Sequence, residues 1–515
     1  MGRINSNVPS LVAQQNLART QGRLDSTLSR LSTGLRINRG KDDPAGLIVS
    51  ERLRSELAGI EQGIKNSERA SNVIATSEGS LTEVSELLNS IKALVVEAAN
   101  TGAFSREEIE ANQLQIDSAI ESITRISNTA SFGGLKLLNG SLSYNLSNVA
   151  ASDISKVRVF GADFGNQRSV DIDIEVLASA QTANLYMRTD FAAQGIGGAT
   201  NGVLVSTVTM EIAGPDGVVE LTFVSGATNA DIINAINSRA SVTGVRANSG
   251  GTAGGNPASG IVFNSVAYGS EAFVSVKKLA GGAALSTGRI ANDGPGPITW
   301  GGNSVSGDRD AGRDVVVLLN GAVASGRGLQ VTTRNPELDL QLSLDASFAT
   351  MEGSTTSFQI AGGGSRFQLG PEVTSNQQVN IGLFSVAATR LGGTLNVNKL
   401  GSQEVQFLST IKSGGANDLL NGNLSNASKV LETAISEVSV LRGRLGSFER
   451  NVLDTNVRSL QAGLENITAA ESVIRDADFA VETSELTRNQ VLLQAGTSVL
   501  ATANANAQAV LQLLG

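Results

Sequence analysis

Apolar residues near the N-terminus recur at the spacing of an amphipathic helix. Leu17, Leu24, Leu28, Leu31 and Leu35 follow one another at intervals of seven, four, three and four positions, which places them on a single stripe. Such spacing is typical of a coiled-coil seam. The pattern therefore predicts a first helix within residues 1–40 that packs through these leucines.

The helical pattern is interrupted by the segment LSTGLRINRGKDDPAGLIVSERL, residues 31–53. Glycine weakens a helix interior, whereas an aspartate followed by a proline favours the N-cap and the first position of a new helix. The segment is therefore predicted to be a connector that ends one helix and starts another. Its candidate residues are Gly34, Arg36, Gly40, Lys41, Asp42, Asp43 and Pro44.

A second apolar stripe predicts a long helix from residue 53 to about Ala99. Ser67 and Ser71 occupy two seam positions where larger side chains are expected, so a neighbouring element is predicted to approach closely there. After a short turn, Ser105 is a candidate N-cap for a third helix, which ends near Ser127. The two helices are predicted to form a hairpin.

The pattern changes after Ser131, where glycines become frequent and apolar and polar residues alternate as in half-buried strands. Residues 180–350 are rich in Gly, Ala, Ser and Thr, with short strand-like segments and one helix-like segment at 229–240. This middle region is predicted to form one or two β-rich domains.

Helical spacing returns after Asn417, and the last 27 residues, 489–515, carry no charge. One face of this last segment holds an apolar stripe formed by Leu492, Val499, Ala503, Val510 and Leu514. Another face holds an uncharged polar stripe formed by Gln494, Ser498, Asn504, Gln508 and Gln512. The segment is too polar to span a membrane and too apolar to lie free in water, so it is predicted to pack among other helices.

The predicted fold class is α+β. Long coiled-coil-like helices from both chain ends are expected to form an α-bundle, with the β-rich middle inserted between them. Opposite charges favour this pairing of the ends. Residues 1–41 carry seven basic residues and one acid, Asp25, whereas residues 471–485 carry five acids and one base, Arg475. The two ends are therefore expected to attract each other, within one chain or between copies.

Composition limits the catalytic and covalent chemistry that the chain can perform. The chain has neither cysteine nor histidine, which excludes disulfides, thiolate nucleophiles and mechanisms that need an imidazole. No enzymatic activity, cofactor or metal is expected, and neither is binding to nucleic acid or insertion into a membrane. The N-terminus lacks the apolar core of a secretory signal peptide, so any export is expected to proceed without a cleaved signal.

Three stretches of the chain resemble the bacterial flagellin family. They are NLARTQGRLDSTLSRLSTGLRINRGKDDPAGLIVSERL (16–53), ISNTASFGGLKLLNG (126–140) and AESVIRDADFAVETSELTRNQVLLQAGTSVLATANANAQAVLQLL (470–514). The segment 219–279 more weakly resembles a repeat found in flagellins and in the filament-capping protein. The similarity therefore covers both helical ends and, more weakly, one segment of the middle region.

This resemblance implies a structural subunit that self-assembles into the helical flagellar filament, the propeller for swimming. It implies an inner domain from residues 1–40 and 471–515, a rod domain from 41–178 and 354–470, and a variable outer domain from 179–353. The subunit is expected to be extracellular, in the filament. Expected partners are further copies of the chain, an export chaperone, the flagellar secretion apparatus, and the hook-associated junction and capping proteins.

The resemblance also suggests roles for particular positions. The two apolar stripes are expected to pack the core helices, and the polar C-terminal stripe is expected either to line a central channel or to hydrogen-bond between core helices. A strip on the rod is expected to pack between subunits and comprises Leu88, Ser90, Ile91, Leu94, Val95 and Gln115. Members recognised by a Toll-like receptor commonly carry an arginine at Ser90 and a glutamate at Gln115, so these departures argue against such recognition.

Two alternatives remain open on sequence grounds. The hook–filament junction protein of the same superfamily shares the helical ends and also assembles. A filament subunit whose middle region binds a ligand or has enzymatic activity is the second alternative. For an enzyme, only a carboxylate pair or a Ser/Lys scheme remains, and Asp308 and Asp310 in GDRDAGRD are better explained as turn residues or a weak cation site.

Overall fold

The computed structural model describes residues 7–100, 102–165, 167–188, 203–204, 206–249, 260–282, 286–290, 304–335, 337–397, 403–420 and 424–514; for residues 395–397, 403–404 and 507–514 it describes the backbone alone. The helices are α1 (Val8–Thr33), α2 (Pro44–Ala98), α3 (Arg106–Thr129), α4 (Asn229–Asn237), α5 (Ala240–Thr243), α6 (Ala346–Ala349), α7 (Leu424–Phe448), α8 (Asp454–Arg475) and α9 (Phe479–Leu514). A π-helical turn at Glu449–Leu453 joins α7 to α8.

The first strands along the chain are β1 (Ser131–Phe132), β2 (Leu135–Lys136), β3 (Tyr144–Ser147), β4 (Ile154–Ala162), β5 (Val170–Ala178), β6 (Thr182–Met187), β7 (Val208–Gly214), β8 (Gly217–Phe223), β9 (Val245–Ser249), β10 (Ile261–Tyr268), β11 (Phe273–Gly281) and β12 (Thr287–Ile290). They are followed by β13 (Ser304–Ser306), β14 (Arg309–Ala311), β15 (Val316–Leu319), β16 (Ala322–Arg327), β17 (Gln330–Arg334), β18 (Leu338–Leu344), β19 (Thr355–Gly363), β20 (Ser365–Gln368), β21 (Gln378–Ile381), β22 (Thr394–Val397) and β23 (Gln403–Gln406). In sequence order, helices from both chain ends thus flank a β-rich middle, which confirms the predicted α+β class.

Local sequence signals explain where the N-terminal helices start and stop. Asn7 caps α1, because its side chain accepts a hydrogen bond from the backbone N–H of Ser10 at 3.1 Å. Gly34 ends α1 in the left-handed conformation, with φ at 72°, where a glycine avoids the steric strain of a side chain. At the start of α3, Ser105 and Glu108 form a reciprocal capping box.

Contacts between Cα atoms divide the chain into two compact units. The smaller unit comprises residues 1–71, 367–378 and 448–515 and contains α1, the first half of α2, α8 and α9. In this unit the small seam residues of α2 admit close neighbours, as the sequence predicts. Asn456 Nδ2 donates to the Ser67 hydroxyl at 3.1 Å, and the Ser71 hydroxyl donates to Glu449 in the π-helical turn.

The larger unit comprises residues 72–366 and 379–447. Its helical part buries apolar stripes on the second half of α2, on α3 and on α7, including Ile116, Ile120 and Leu441. An eight-stranded sheet in the order β3-β19-β5-β15-β16-β17-β18-β4 covers a separate core. Another core lies between a five-stranded sheet, a four-stranded sheet and α4.

The eight-stranded sheet draws its strands from distant parts of the chain. β5 is paired with β15 and with β19, and β4 is paired with β18. The sheet therefore includes strands on both sides of residues 178 and 353, the two positions at which the sequence suggested domain boundaries.

Candidate assembly site

The helices from the two chain ends pack against each other in an antiparallel pair. At one end, Asn7 Nδ2 donates to the carbonyl oxygen of Ala503 at 3.1 Å. At the other end, the Arg30 guanidinium forms an ion pair with Glu482 at 3.0 Å. Charge attraction between a basic N-terminal and an acidic C-terminal segment thus operates within one chain.

The seam between α1 and α9 is lined by small and polar residues. On α1, Ser10, Ala13 and Thr27 are buried. On α9, Glu482 and Asn489 are buried and lie seven positions apart, the repeat of a coiled-coil seam. Further along this face, a β-carbon placed on Gly496 would lie 3.1 Å from Leu17 Cδ1, so the backbone of α9 lies close to α1.

The predicted N-terminal leucine stripe is only partly on this seam. Leu17, Leu24 and Leu31 are half-buried on α1. Leu28 is 47% exposed, because the seam passes through its neighbour Thr27 instead. Leu35 lies beyond the end of α1, since Gly34 turns the chain out of the helix, and it forms an isolated β-bridge with Asp476. Leu35 is therefore not part of the predicted helical stripe. Leu28 does not pack on the seam within one chain, and its packing against further copies of the chain stays a prediction.

The predicted C-terminal apolar stripe is offset from the seam. Ala503 is half-buried, but Leu492 is 43% exposed and Val499 is 58% exposed. The side chains of Val510 and Leu514 lie outside the described residues. Each residue turns an α-helix by about 100°, so Leu492 and Val499 fall beside the seam that Leu493 and Gly496 occupy. Leu492 and Val499 therefore do not pack on the seam with α1 within one chain, and their packing among other core helices stays a prediction.

The outer surface of the helix pair is partly apolar. Val8, Leu11 and Val12 are exposed on α1, and Val491, Leu492 and Val499 are exposed on α9. We call these six side chains the outer apolar faces. A pair of helices that buries polar groups in its own seam and exposes aliphatic groups outside is incomplete as a single chain.

The uncharged polar stripe of α9 divides into two groups. Gln494 and Ser498 are exposed. Asn504 instead accepts a hydrogen bond from the Ser10 hydroxyl at 2.8 Å, so it joins the two helices of the pair. Gln508 and Gln512 have side chains that lie outside the described residues.

The connector after α1 is paired with the short break between α8 and α9. The backbone N–H of Arg36 donates to the carbonyl oxygen of Arg475 at 2.7 Å. The backbone N–H of Ala477 donates to the carbonyl oxygen of Gly34 at 2.9 Å. The Arg36 guanidinium also donates to the Ile474 carbonyl oxygen at 2.5 Å. The break between α1 and α2 therefore lies beside the break between α8 and α9. Backbone hydrogen bonds hold the two breaks together.

Two aspartates organise the connector. Asp43 accepts a hydrogen bond from the backbone N–H of Gly46 at 2.9 Å and so caps α2, whose first residue is Pro44. Asp42 accepts hydrogen bonds from the N–H groups of Asn38 and Arg39. The hydrogen bond from Arg39 is the main reason why the pKa of Asp42 is lowered.

The remaining connector residues have simpler surroundings. Arg36 approaches Asp43 at 3.8 Å, and Lys41 is exposed. Gly40 lies in a turn six positions after Gly34 has ended α1, so it does not loosen that helix.

Two residues, one in the connector and one in the break between α8 and α9, escaped the sequence reasoning. Ile37 is 1% exposed, and a β-carbon on Gly46 would come within 2.7 Å of its Cδ1 atom, so the isoleucine is packed against the start of α2. Asp478 caps α9 by accepting hydrogen bonds from the N–H groups of Ala480 and Val481. An aspartate directly before a helical segment is the ordinary N-cap signal and was available in the sequence, whereas nothing in the sequence marks Ile37 as buried.

The predicted inter-subunit strip on the rod is mostly internal. Leu88, Ile91 and Val95 are at most 2% exposed, because they form the inward stripe of α2. These three side chains are therefore unavailable to another subunit, and the prediction was wrong for them. Leu94 is half-buried, and Ser90 and Gln115 are exposed.

Terminal helices that expose apolar faces beside their own seam are typical of a self-assembling structural subunit. The bacterial flagellin N-terminal helical region matches residues 4–143, the bacterial flagellin C-terminal helical region matches residues 428–514, and the flagellin hook IN motif matches residues 207–265. The chain belongs to the bacterial flagellin family.

Relatives match the chain along its whole length. The flagellin of Salmonella rubislaw is 28% identical over 539 residues, covering 99% of this chain and 99% of that protein. The B-type flagellin of Pseudomonas aeruginosa is 26% identical over 532 residues with the same coverage. Because these full-length relatives are flagellins, the hook–filament junction alternative is not favoured.

Solved structures of other flagellar proteins are more distant. The flagellar hook associated protein-3 of Legionella pneumophila is 11% identical, with 82% of this chain and 97% of that chain covered and a TM-score of 0.28. The flagellar cap protein of Escherichia coli, in its three-domain form, is 13% identical over 66% of this chain and 96% of that chain, with a TM-score of 0.26. TM-scores this low do not define a shared overall arrangement.

Two further observations concern the described part of the chain alone. No group of three or more metal-ligating side chains occurs there, and none of its helices is both long and apolar enough to cross a membrane.

Proposed function

We propose that the chain is the structural subunit of a helical flagellar filament, the propeller for swimming, and that the outer apolar faces of α1 and α9 form its subunit contacts. The single observation that carries this proposal is the exposure of Leu492, Val499 and their neighbours beside a polar seam. Membership of the flagellin family supports it.

The physical basis is a heterologous contact. If one part of the outer apolar faces binds a different part of the same faces on the next subunit, the contact repeats without closing and produces a filament. Burial of exposed aliphatic side chains supplies about 25 cal/mol per Å² of apolar surface removed from water. Assembly is therefore driven by completion of each helix pair by its neighbours.

We further propose the arrangement and export that the family suggests. Residues 1–40 and 471–515 form the inner domain, residues 41–178 and 354–470 the rod, and residues 179–353 the outer domain. The subunit is extracellular and is exported without a cleaved signal peptide. Its partners are other copies of itself, an export chaperone, the secretion apparatus, and the hook-associated junction and capping proteins. It has no enzymatic role.

A channel role is proposed for Gln494, Ser498, Gln508 and Gln512 of α9. Gln494 and Ser498 are exposed and uncharged, and Gln508 and Gln512 continue their stripe in sequence. An uncharged polar wall would hold a transiting chain only weakly. Normal filament growth in cells that carry Gln508→Glu would count against this role.

Seeded polymerisation tests the main proposal. The purified full-length chain is mixed with short filament fragments and viewed by negative-stain electron microscopy. Elongation of the fragments is the expected result. If the chain remains monomeric at concentrations well above those of the seeds, the proposed filament function is wrong.

A further inference from the structure

One face of the eight-stranded sheet forms the floor of a polar cleft within the larger unit. β17, β18 and β4 lie side by side on this floor, and residues of α7 line one wall. The cleft has a volume of about 850 Å³. This volume lies within the roughly 300–1,000 Å³ that is typical of small-molecule sites.

Strand register gathers polar side chains on the floor. Thr332 on β17 is paired with Gln341 on β18, and Gln341 is paired with Arg158 on β4. Two positions further along β17, on the same face, Arg334 is paired with Asp339. Alternate residues of β18 are leucines buried in the core below. The floor therefore offers amide and hydroxyl groups that both donate and accept hydrogen bonds.

The cleft has an excess of positive charge, although the whole chain has a net charge of −9. Its lining includes six cations, Lys156, Arg158, Arg327, Arg334, Lys429 and Arg444, and four acids, Asp216, Glu271, Glu432 and Glu437. Five of the cations form ion pairs with carboxylates. Arg334 is exposed and makes no ion pair in the part of the chain that the structure describes.

Aromatic rings hold two of the cations in place. The Arg444 guanidinium lies 3.6 Å from the centroid of the Phe160 ring, and that of Arg158 lies 4.4 Å from the centroid of Phe384. These two rings contact each other edge to face. The buried Nε of Arg444 has no hydrogen-bond acceptor among the described residues. Arg158 and Arg444 are thus held in place by rings and by their carboxylate partners, which leaves Arg334 as the cation of the cleft that a ligand anion can pair with.

We propose that this cleft binds a short saccharide that carries a carboxylate. The hydroxyls of a sugar match the amides and hydroxyls of Gln330, Thr332, Gln341 and Ser343, each of which both donates and accepts. The guanidinium of Arg334 matches a carboxylate through two parallel hydrogen bonds. One unpaired arginine balances a single negative charge, which favours a carboxylate over a phosphate dianion. This binding is independent of filament assembly and gives the middle region a function of its own.

Isothermal titration calorimetry of the full-length chain tests the proposal with three probes: trigalacturonate, neutral maltotriose and inorganic phosphate. Binding of trigalacturonate alone is expected. Arg334→Gln is expected to weaken this binding about tenfold or more, since a charge-assisted pair is lost. The matched control is Arg125→Gln, which removes an exposed arginine of α3 outside the cleft and is expected to leave binding unchanged.

Several outcomes would overturn the proposal. Absence of trigalacturonate binding would refute the site, and so would equal binding by Arg334→Gln and the unaltered chain. Equal affinity for maltotriose would refute the role of the carboxylate, and equal affinity for phosphate would refute the role of the sugar. Because Arg334 is exposed, its replacement is expected to leave the thermal unfolding of the chain unchanged, so loss of binding reports on the cleft itself.

Discussion

Asp43 fixes the start of the second helix through one side-chain hydrogen bond. Its carboxylate accepts from the N–H of Gly46, next to the backbone pairing of Arg36 with Arg475. A capping aspartate followed by a proline can be recognised in sequence because both preferences are local. The burial of Ile37 against the start of α2 could not be recognised, because nothing in its sequence spacing distinguishes it from the exposed residues of the connector.

We predict that Asp43→Ala leaves secretion intact but weakens the filament. Loss of a helix cap costs about 0.5–2 kcal/mol per subunit. The expected result is a lower melting temperature of the assembled filament by calorimetry, with normal amounts of protein secreted. An unchanged filament melting temperature would refute the capping role.

Glu437 on α7 binds two cations of β4. Its carboxylate lies 2.8 Å from Lys156 Nζ and 2.5 Å from an Arg158 terminal nitrogen. Burial by itself would raise the pKa of Glu437, but the charges of Arg158 and Lys156 outweigh it and hold the pKa below its usual range. Replacement by glutamine would leave both cations without a carboxylate partner in a largely buried place.

We predict that Glu437→Gln lowers the free energy of unfolding at neutral pH by about 3–5 kcal/mol. Because the folded chain lowers the pKa of Glu437, the stabilisation is complete above the ordinary glutamate pKa of about 4.3 and is lost as the pH falls through the lowered value. Urea denaturation at several pH values is the measurement. The unaltered chain should lose stability on acidification more steeply than the variant, and parallel pH profiles would contradict the assignment.

At the scale of elements, the sequence predicts where the helices are but not which helix faces pack against each other. Apolar spacing indicates that residues 17–31 and 492–503 are helical with a coiled-coil period. The period does not reveal which face meets the other helix when the seam contains Glu482, Asn489 and Gly496. Leu492 and Val499 of the predicted apolar stripe are exposed in the single chain, and we propose that they serve contacts with other subunits.

Adjacent leucines on α9 separate the two kinds of contact. We predict that Leu493→Gln, a change on the half-buried seam, destabilises the pairing of α1 with α9 by about 1–3 kcal/mol. Leu492→Gln, a change on the exposed face, should leave the isolated chain unaffected and hinder polymerisation. Thermal unfolding of the monomer by circular dichroism and seeded growth are the measurements. A lower monomer stability for Leu492→Gln than for Leu493→Gln would contradict the assigned seam.

Strand pairing is the second feature that the sequence could not supply. Alternation identifies β5 and the strands near it, and the β-rich middle is confirmed. The pairing of β4 with β18 joins residues that are far apart in sequence, and alternation carries no information about such partners. For the same reason the cleft beside α7 was not foreseen, because its floor forms only when β17, β18 and β4 come together.

At the scale of the whole molecule, the family and the filament follow from the chain ends. Their motifs suffice to recognise a flagellin, and the full-length relatives agree. These motifs do not identify the residues that form the contacts between subunits. Leu88, Ile91 and Val95 are buried within the chain, so we propose that the outer apolar faces of α1 and α9 form the subunit contacts instead.

The accessibility of a single engineered thiol tests this central claim most directly, since the chain has no cysteine of its own. Leu492→Cys is expected to react readily with a thiol reagent in the monomer and at least about tenfold more slowly in the filament, because the neighbouring subunit covers it. The matched control is Val323→Cys, an exposed position on β16 in the proposed outer domain, which is expected to react equally in both states. Equal reactivity of Leu492→Cys before and after assembly would contradict the account.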